Sequence, residues 1–208
     1  MNEPGTFDDP FPMLGMFHFA KVLLRCAGKY LTGSGMGNAL IESEVFGPKT
    51  VSTVLSGGHY VRSLKGMLIV SEVLDSLMWS AFWHSNDHTS VLKNALKNRR
   101  RIECVPQFEQ ASAAAADLSQ QFYTFAQECQ EKSELCRYFM NFCNIVSIIK
   151  QLIVADRDGN WPLHVGTVKA SMGIFQEFDA INYLRYGSWY LERIQVPEVT
   201  YPTLFRRF

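Results

Sequence analysis

Apolar residues return every third or fourth position through most of this chain, which predicts helices rather than strands. The clearest case runs from Tyr60 to His84. There Leu64, Met67, Leu68, Val73, Leu74, Leu77, Met78, Ala81 and Phe82 describe a wide apolar face. Trp79 and Trp83 lie four residues apart on its flank, within reach of each other. An earlier helix is expected from about Leu14 to Tyr30, stopped by the glycine-rich stretch Thr32 to Asn38. The stretch ALIESEVF reads as a short helix broken at Gly47-Pro48, and Gly57-Gly58 separates it from the long one.

Downstream, residues 89–101 read as a short basic helix, with Pro106 closing that segment. The alanines from Ala111 to Ala116 then open a long helical stretch near 109–155, with a break expected at Lys132-Ser133. DRDG, Asp156 to Gly159, predicts a turn. Pro162 suits the start of the next helix, where its missing N–H is no loss. Two helices are expected over 162–177 and 178–194. The chain therefore reads as all-α, seven or eight helices around one aromatic-rich core. Residues 1–12 form an extended lead-in, 13–196 the helical globular domain, and 197–208 an extended tail.

Composition agrees with a substantial core. The chain has 208 residues, 47% of them apolar, with fifteen Phe, eight Tyr and four Trp. Twenty basic residues balance twenty acidic ones, so net charge supplies no attraction to nucleic acid. The N-terminus has neither the basic start nor the apolar run of a secretory signal. The most membrane-like stretch, Leu135 to Ala155, carries Arg137, Asn141, Asn144 and Lys150. Each is costly in hydrocarbon, so this stretch reads as a buried helix of a soluble protein and no membrane partner is expected. Five cysteines, an odd number, point to reduced thiols and an intracellular protein, cytoplasmic or nuclear.

Candidate chemistry is sparse. Phe122, Cys129, Cys136 and Cys143 repeat every seven residues and fall on one helical stripe. Seven residues separate sulfurs by about 10 Å along a helix, too far for one helix to chelate a metal with all three cysteines. Core packing is their expected role. His84 and His88, with Asp87 between them, lack an evident third ligand. DRDGN begins like a calcium loop, but Trp161 and Thr167 stand where that loop needs Gly and Glu. GSGMG, Gly33 to Gly37, lacks the Lys-Ser/Thr of a phosphate loop and reads as a connection between helices. No cofactor and no metal site are expected.

Two features remain. Lys93, Lys97, Arg99, Arg100 and Arg101 form the one basic run, a candidate contact for nucleic acid or a solvated helix end. Asp179, Asn182, Tyr183 and Arg185 form a candidate polar cluster among Phe178, Ile181, Tyr186, Trp189 and Tyr190. On a continuous helix Asp179, Asn182 and Tyr183 would share one side. Buried polar groups there must be satisfied internally or used.

Residues of the second half also carry a resemblance. Gly159, Trp161, Leu163 and His164 form a G-x-W-x-L-H turn. Asp179, Asn182, Tyr183, Arg185, Tyr186, Tyr190 and Leu191 follow it as a D-x-x-N-Y-x-R-Y-x-x-x-Y-L helix. With the LGMFHFAKVLLRCAGKYLTGSGMGN and GGHYVRSLKGM segments, these resemble uncharacterised metazoan proteins, of cnidarian and fish type, associated with mobile elements. The likeness covers about residues 13–205 and corresponds to the C-terminal portion of such a protein. It implies no established activity. The expected function is a non-enzymatic helical interaction or scaffold domain, with a protein or nucleic acid as partner. One alternative is a fragment of a metal-dependent, ribonuclease-H-like transposase or nuclease, in which Asp179 would be the last carboxylate. Another is weak nucleic-acid binding through residues 93–101.

Overall fold

The computed structural model describes residues 15–85 and 105–195, with the side chains of 105–114 and 195 left out. Among the described residues there are eight helices and no strand. They are α1 (Met16–Tyr30), α2 (Met36–Glu42), α3 (Pro48–Leu55), α4 (Tyr60–Ser85), α5 (Val105–Lys132), α6 (Glu134–Asp158), α7 (Trp161–Glu177) and α8 (Ile181–Gln195). The all-α reading from hydrophobic periodicity is correct. The basic run 93–101, Asp87 and His88 lie outside the described residues, as do the lead-in 1–12 and the tail 197–208.

Several boundaries differ from the sequence expectation. The helix expected to run to Gly47-Pro48 ends earlier, at Glu42, and Pro48 instead opens α3, where its fixed φ suits a first helical position. Pro106 sits just inside the start of α5 for the same reason; the segment it was expected to close lies outside the described residues. The break expected at Lys132-Ser133 is present, at Ser133. Ser133 Oγ accepts from the Cys136 N–H at 3.2 Å, capping α6. The seven-residue stripe is therefore shared between two helices, with Phe122 and Cys129 on α5 and Cys136 and Cys143 on α6. Asp156 to Asp158 continue α6, so the turn shrinks to Gly159, at φ 64, and Asn160. Finally, residues 178–180 form a turn, and α8 starts at Ile181.

The chain divides into two compact units. One is built from the described residues of 1–67 and 144–208. Its core takes Phe19, Leu23, Leu24 and Ala27 from α1, Val54 from α3, and Val146, Ile149 and Leu152 from the second half of α6. Val168 and Phe175 from α7 and Tyr190 from α8 complete it. α7 and α8 pair as a helical hairpin, and α1 packs on both α3 and α7. Phe19, Phe175 and Tyr183 bring α1, α7 and α8 together, with ring centroids 4.8 to 6.3 Å apart. Gly28 permits the crossing of α1 over α3, because a Cβ there would overlap the Leu55 carbonyl.

The other unit spans residues 68–143. It is organised around the buried ring of Phe82, with Trp79, Trp83, Phe122 and Phe125 about it at 5.3 to 5.7 Å. Trp79 and Phe122 stack nearly parallel, 3.7 Å between centroids. α6 is the one described helix long and apolar enough to cross a membrane. Of its apolar residues, Phe142, Ile145, Val146, Ile149, Leu152 and Ala155 are buried, while Leu135 and Val154 are exposed.

Candidate functional site

Two polar constellations meet on the α7–α8 hairpin of the first unit. The first is closed. Asn160 caps α7, its side-chain oxygen accepting from the Leu163 N–H at 3.1 Å. One turn later His164 points into the core, only 5% exposed. Its Nε2 lies 2.8 Å from the hydroxyl of Tyr190, a wholly buried residue of α8. The neutral imidazole can donate or accept in this bond. Trp161 stacks on the imidazole, 5.2 Å between centroids and 8° from parallel.

Burial sets the titration of both partners. It lowers the His164 pKa below its ordinary 6.5, with the exposed Asp156 carboxylate pulling weakly the other way. It pushes the Tyr190 phenol up to about 12. Both groups are therefore neutral at pH 7. Neighbouring hydroxyls are satisfied as well: Thr167 Oγ1 donates to the Leu163 carbonyl, and Ser171 Oγ to the Thr167 carbonyl at 2.8 Å. The sequence places His164 and Tyr190 in two successive motifs and does not predict that they touch. Their separation of 26 residues carries no helical period, so only the hairpin geometry reveals the pair.

The second constellation is open. A pocket of about 220 Å³ lies between α1 and the start of α8. Val22, Arg25, Cys26 and Lys29 line it from one face of α1, at helical spacings of three and four. Phe178, Asp179, Ala180, Ile181, Asn182 and Tyr183 line it from the turn and the first turn of α8. Lys29 Nζ reaches the Phe178 carbonyl at 3.5 Å. The Cys26 thiol is pushed up to about 11 by burial, against the opposing pull of Lys29 and Arg25. It is a poor nucleophile at neutral pH.

The predicted polar cluster is thus partly assembled. Asp179, Asn182 and Tyr183 do line one pocket, but not as one side of a helix. Asp179 sits in the turn with φ 54, a left-handed conformation that aspartate tolerates better than most residues. Arg185 does not line the pocket and is exposed on α8. The cations that belong here, Arg25 and Lys29, lie about 150 residues away in sequence. Their local signal was membership of a basic series on α1, Lys21, Arg25 and Lys29, spaced four residues apart. Asp179 is the only carboxylate among the described residues that line the pocket. Among the described residues, no three His, Cys, Asp or Glu side chains converge in a way that could hold a metal ion.

The outer face of α8 is different again. Tyr183, Gly187, Tyr190 and Ile194 face the core, while Asn182, Tyr186, Trp189 and Arg193 form a stripe on the other side. Tyr186 is 49% and Trp189 40% exposed. Their rings are 5.6 Å apart, and the Arg193 guanidinium lies 5.6 Å from the Trp189 ring centre.

A family described as a domain of unknown function, DUF8702, matches residues 5–208. Neither the curated proteins nor the solved structures contain a significant match.

Proposed function

The chain belongs to the DUF8702 family, and we propose that it works as a non-enzymatic helical interaction module whose contact surface is the outer face of α8. One observation carries this reading: Tyr186, Trp189 and Arg193 stand exposed together on a helix whose opposite face is buried at Gly187, Tyr190 and Ile194. Tyr, Trp and Arg are the residues most enriched at the energetic centres of protein interfaces. A large aromatic surface in water loses hydrophobic free energy that a partner would recover. The partner on this reading is another protein.

The origin in a mobile-element-derived protein and an intracellular location belong to the same proposal. The first is supported by the G-x-W-x-L-H turn and the Tyr-rich helix that follows. The second is supported by Cys26, Cys129 and Cys136, which are not joined in disulfides.

The test is photo-crosslinking from position 186 in the full chain, expressed in its native cells. A benzoylphenylalanine at position 186 should give discrete protein adducts that vanish when Trp189→Ala and Arg193→Ala are added. The same probe at the exposed position 72 on α4 should give none. Equal labelling from both positions would overturn the proposal. So would a rise in melting temperature on adding Mn²⁺ that is lost in Asp179→Ala, because that result belongs to the transposase or nuclease reading.

A further inference from the structure

The pocket between α1 and α8 goes beyond that reading, because it lies at the base of α8 and its use does not depend on the outer face. Its lining holds two cations, Arg25 and Lys29, and one carboxylate, Asp179, so its formal charge is 2 − 1 = +1. Neither cation takes part in an ion pair among the described residues, whose three pairs all lie elsewhere. The chain as a whole is neutral, so this excess is local. We propose that the pocket binds the carboxylate of a single amino-acid-sized ligand, either a free α-amino acid or the C-terminal residue of a peptide.

Charge selects a monoanion. A phosphate dianion would face the Asp179 carboxylate in the same small space, with Glu177 near enough to act on the Cys26 thiol. A carboxylate can take two parallel hydrogen bonds from the Arg25 guanidinium and a third from Lys29. The Ile181 and Asn182 amides at the start of α8 add donors without a helical acceptor, whereas those of Tyr183 and Leu184 bond the Ala180 carbonyl. Size points the same way. About 220 Å³ is below the roughly 300 Å³ at which pockets for drug-sized ligands begin. Val22, Phe178 and Tyr183 offer apolar surface to a short side chain. Asp179 offers an acceptor to an ammonium group, which a free amino acid has and an internal peptide residue lacks.

The experiment is ¹⁵N-amide NMR titration of the full chain with alanine, N-acetylalanine and inorganic phosphate in turn. Saturable shifts at Ile181, Asn182 and the Arg25–Lys29 turn are expected with at least one carboxylate. Arg25→Gln with Lys29→Gln should weaken binding by about tenfold or more, the worth of one charge-assisted hydrogen bond. Both side chains are exposed, so the double variant should keep a dispersed spectrum. Lys29→Gln alone, with a smaller loss, serves if it does not. Tighter binding of alanine identifies a free amino acid as the source; tighter binding of N-acetylalanine identifies a peptide end. Absence of saturable shifts with both carboxylates overturns the proposal. So do shifts untouched by the cation variants, or phosphate binding as tightly as either carboxylate. Crosslinking from position 186 reads the outer face of α8, so each proposal can fail alone.

Discussion

The α7–α8 hairpin carries one polar group of residues that is finished and one that is not. At the start of α7, the His164 ring and the Tyr190 hydroxyl satisfy each other inside the core. At the start of α8, Arg25, Lys29, Asp179 and Asn182 line an opening and make no ion pair among the described residues. The first lies between α7 and α8; the second lies between α1 and the start of α8. Closure separates them. A buried polar group that has found its partner has been spent on stability, whereas one that lines a cavity can still be used by a ligand. The comparison assigns the histidine of the G-x-W-x-L-H turn to architecture and leaves the pocket for chemistry.

The closed pair can be broken most severely at Tyr190. Tyr190→Ala removes a wholly buried ring and should cost about 3–5 kcal/mol in chemical denaturation. Tyr190→Phe keeps the ring and removes only the hydroxyl. It leaves His164 Nε2 buried without its partner, at a cost of about 1–3 kcal/mol. A Tyr190→Phe protein as stable as the parent would mean that the hydrogen bond adds nothing, and the contrast between closed and open groups would lose its basis.

Acid should reach the same pair by a different route. The folded state holds His164 neutral below its ordinary pKa of 6.5, while the unfolded chain protonates it normally. Below pH 6.5 the unfolded state therefore binds the extra proton, and stability falls as pH drops towards the lowered folded value. Above 6.5 this contribution is complete and constant. The Tyr190 phenol has the opposite sign: its contribution is present below pH 10 and is lost as pH rises through about 12. Urea midpoints measured from pH 7 to 5 should decline less steeply in His164→Gln than in the parent. Identical slopes would place the acid sensitivity elsewhere.

These two groups of residues also differ in how far the sequence revealed them. Helix existence was legible because burial imposes a period of three to four, and Leu64 to Phe82 or Phe19 to Ala27 display it directly. The break at Ser133 was legible from its local chemistry. That Pro48 and Pro106 open helices was missed because proline both ends and begins helices, and only the following residues decide which. The His164–Tyr190 contact was hidden because it depends on how two helices pack, which no local period records. Half of the pocket was visible: Asp179, Asn182 and Tyr183 are neighbours in sequence. Arg25 and Lys29 showed only as basic positions on α1; that they reach the pocket depends on helix packing, as for Tyr190. Arg185 does not line the pocket, because two residues beyond Tyr183 on the same helix it lies about 200° round the axis.

The smallest expected effect separates the backbone of that turn from its carboxylate. Asp179 holds a φ of 54, which costs a non-glycine residue on the order of 1 kcal/mol. Glycine pays no such steric cost, but it loses more conformational entropy on folding. The two effects nearly cancel, so Asp179→Gly should melt at or slightly above the parent. Asp179→Ala keeps the strain and loses the side chain that makes aspartate tolerable there, so it should fall below Asp179→Gly by about 1 kcal/mol. That ordering would make the turn a matter of backbone geometry, with the carboxylate left over to face a ligand in the open pocket. If Gly and Ala destabilise equally, the carboxylate itself holds the turn together. Asp179 would then belong with His164 and Tyr190 among the residues already spent on the fold, and the +1 lining would have no acceptor to offer an ammonium group.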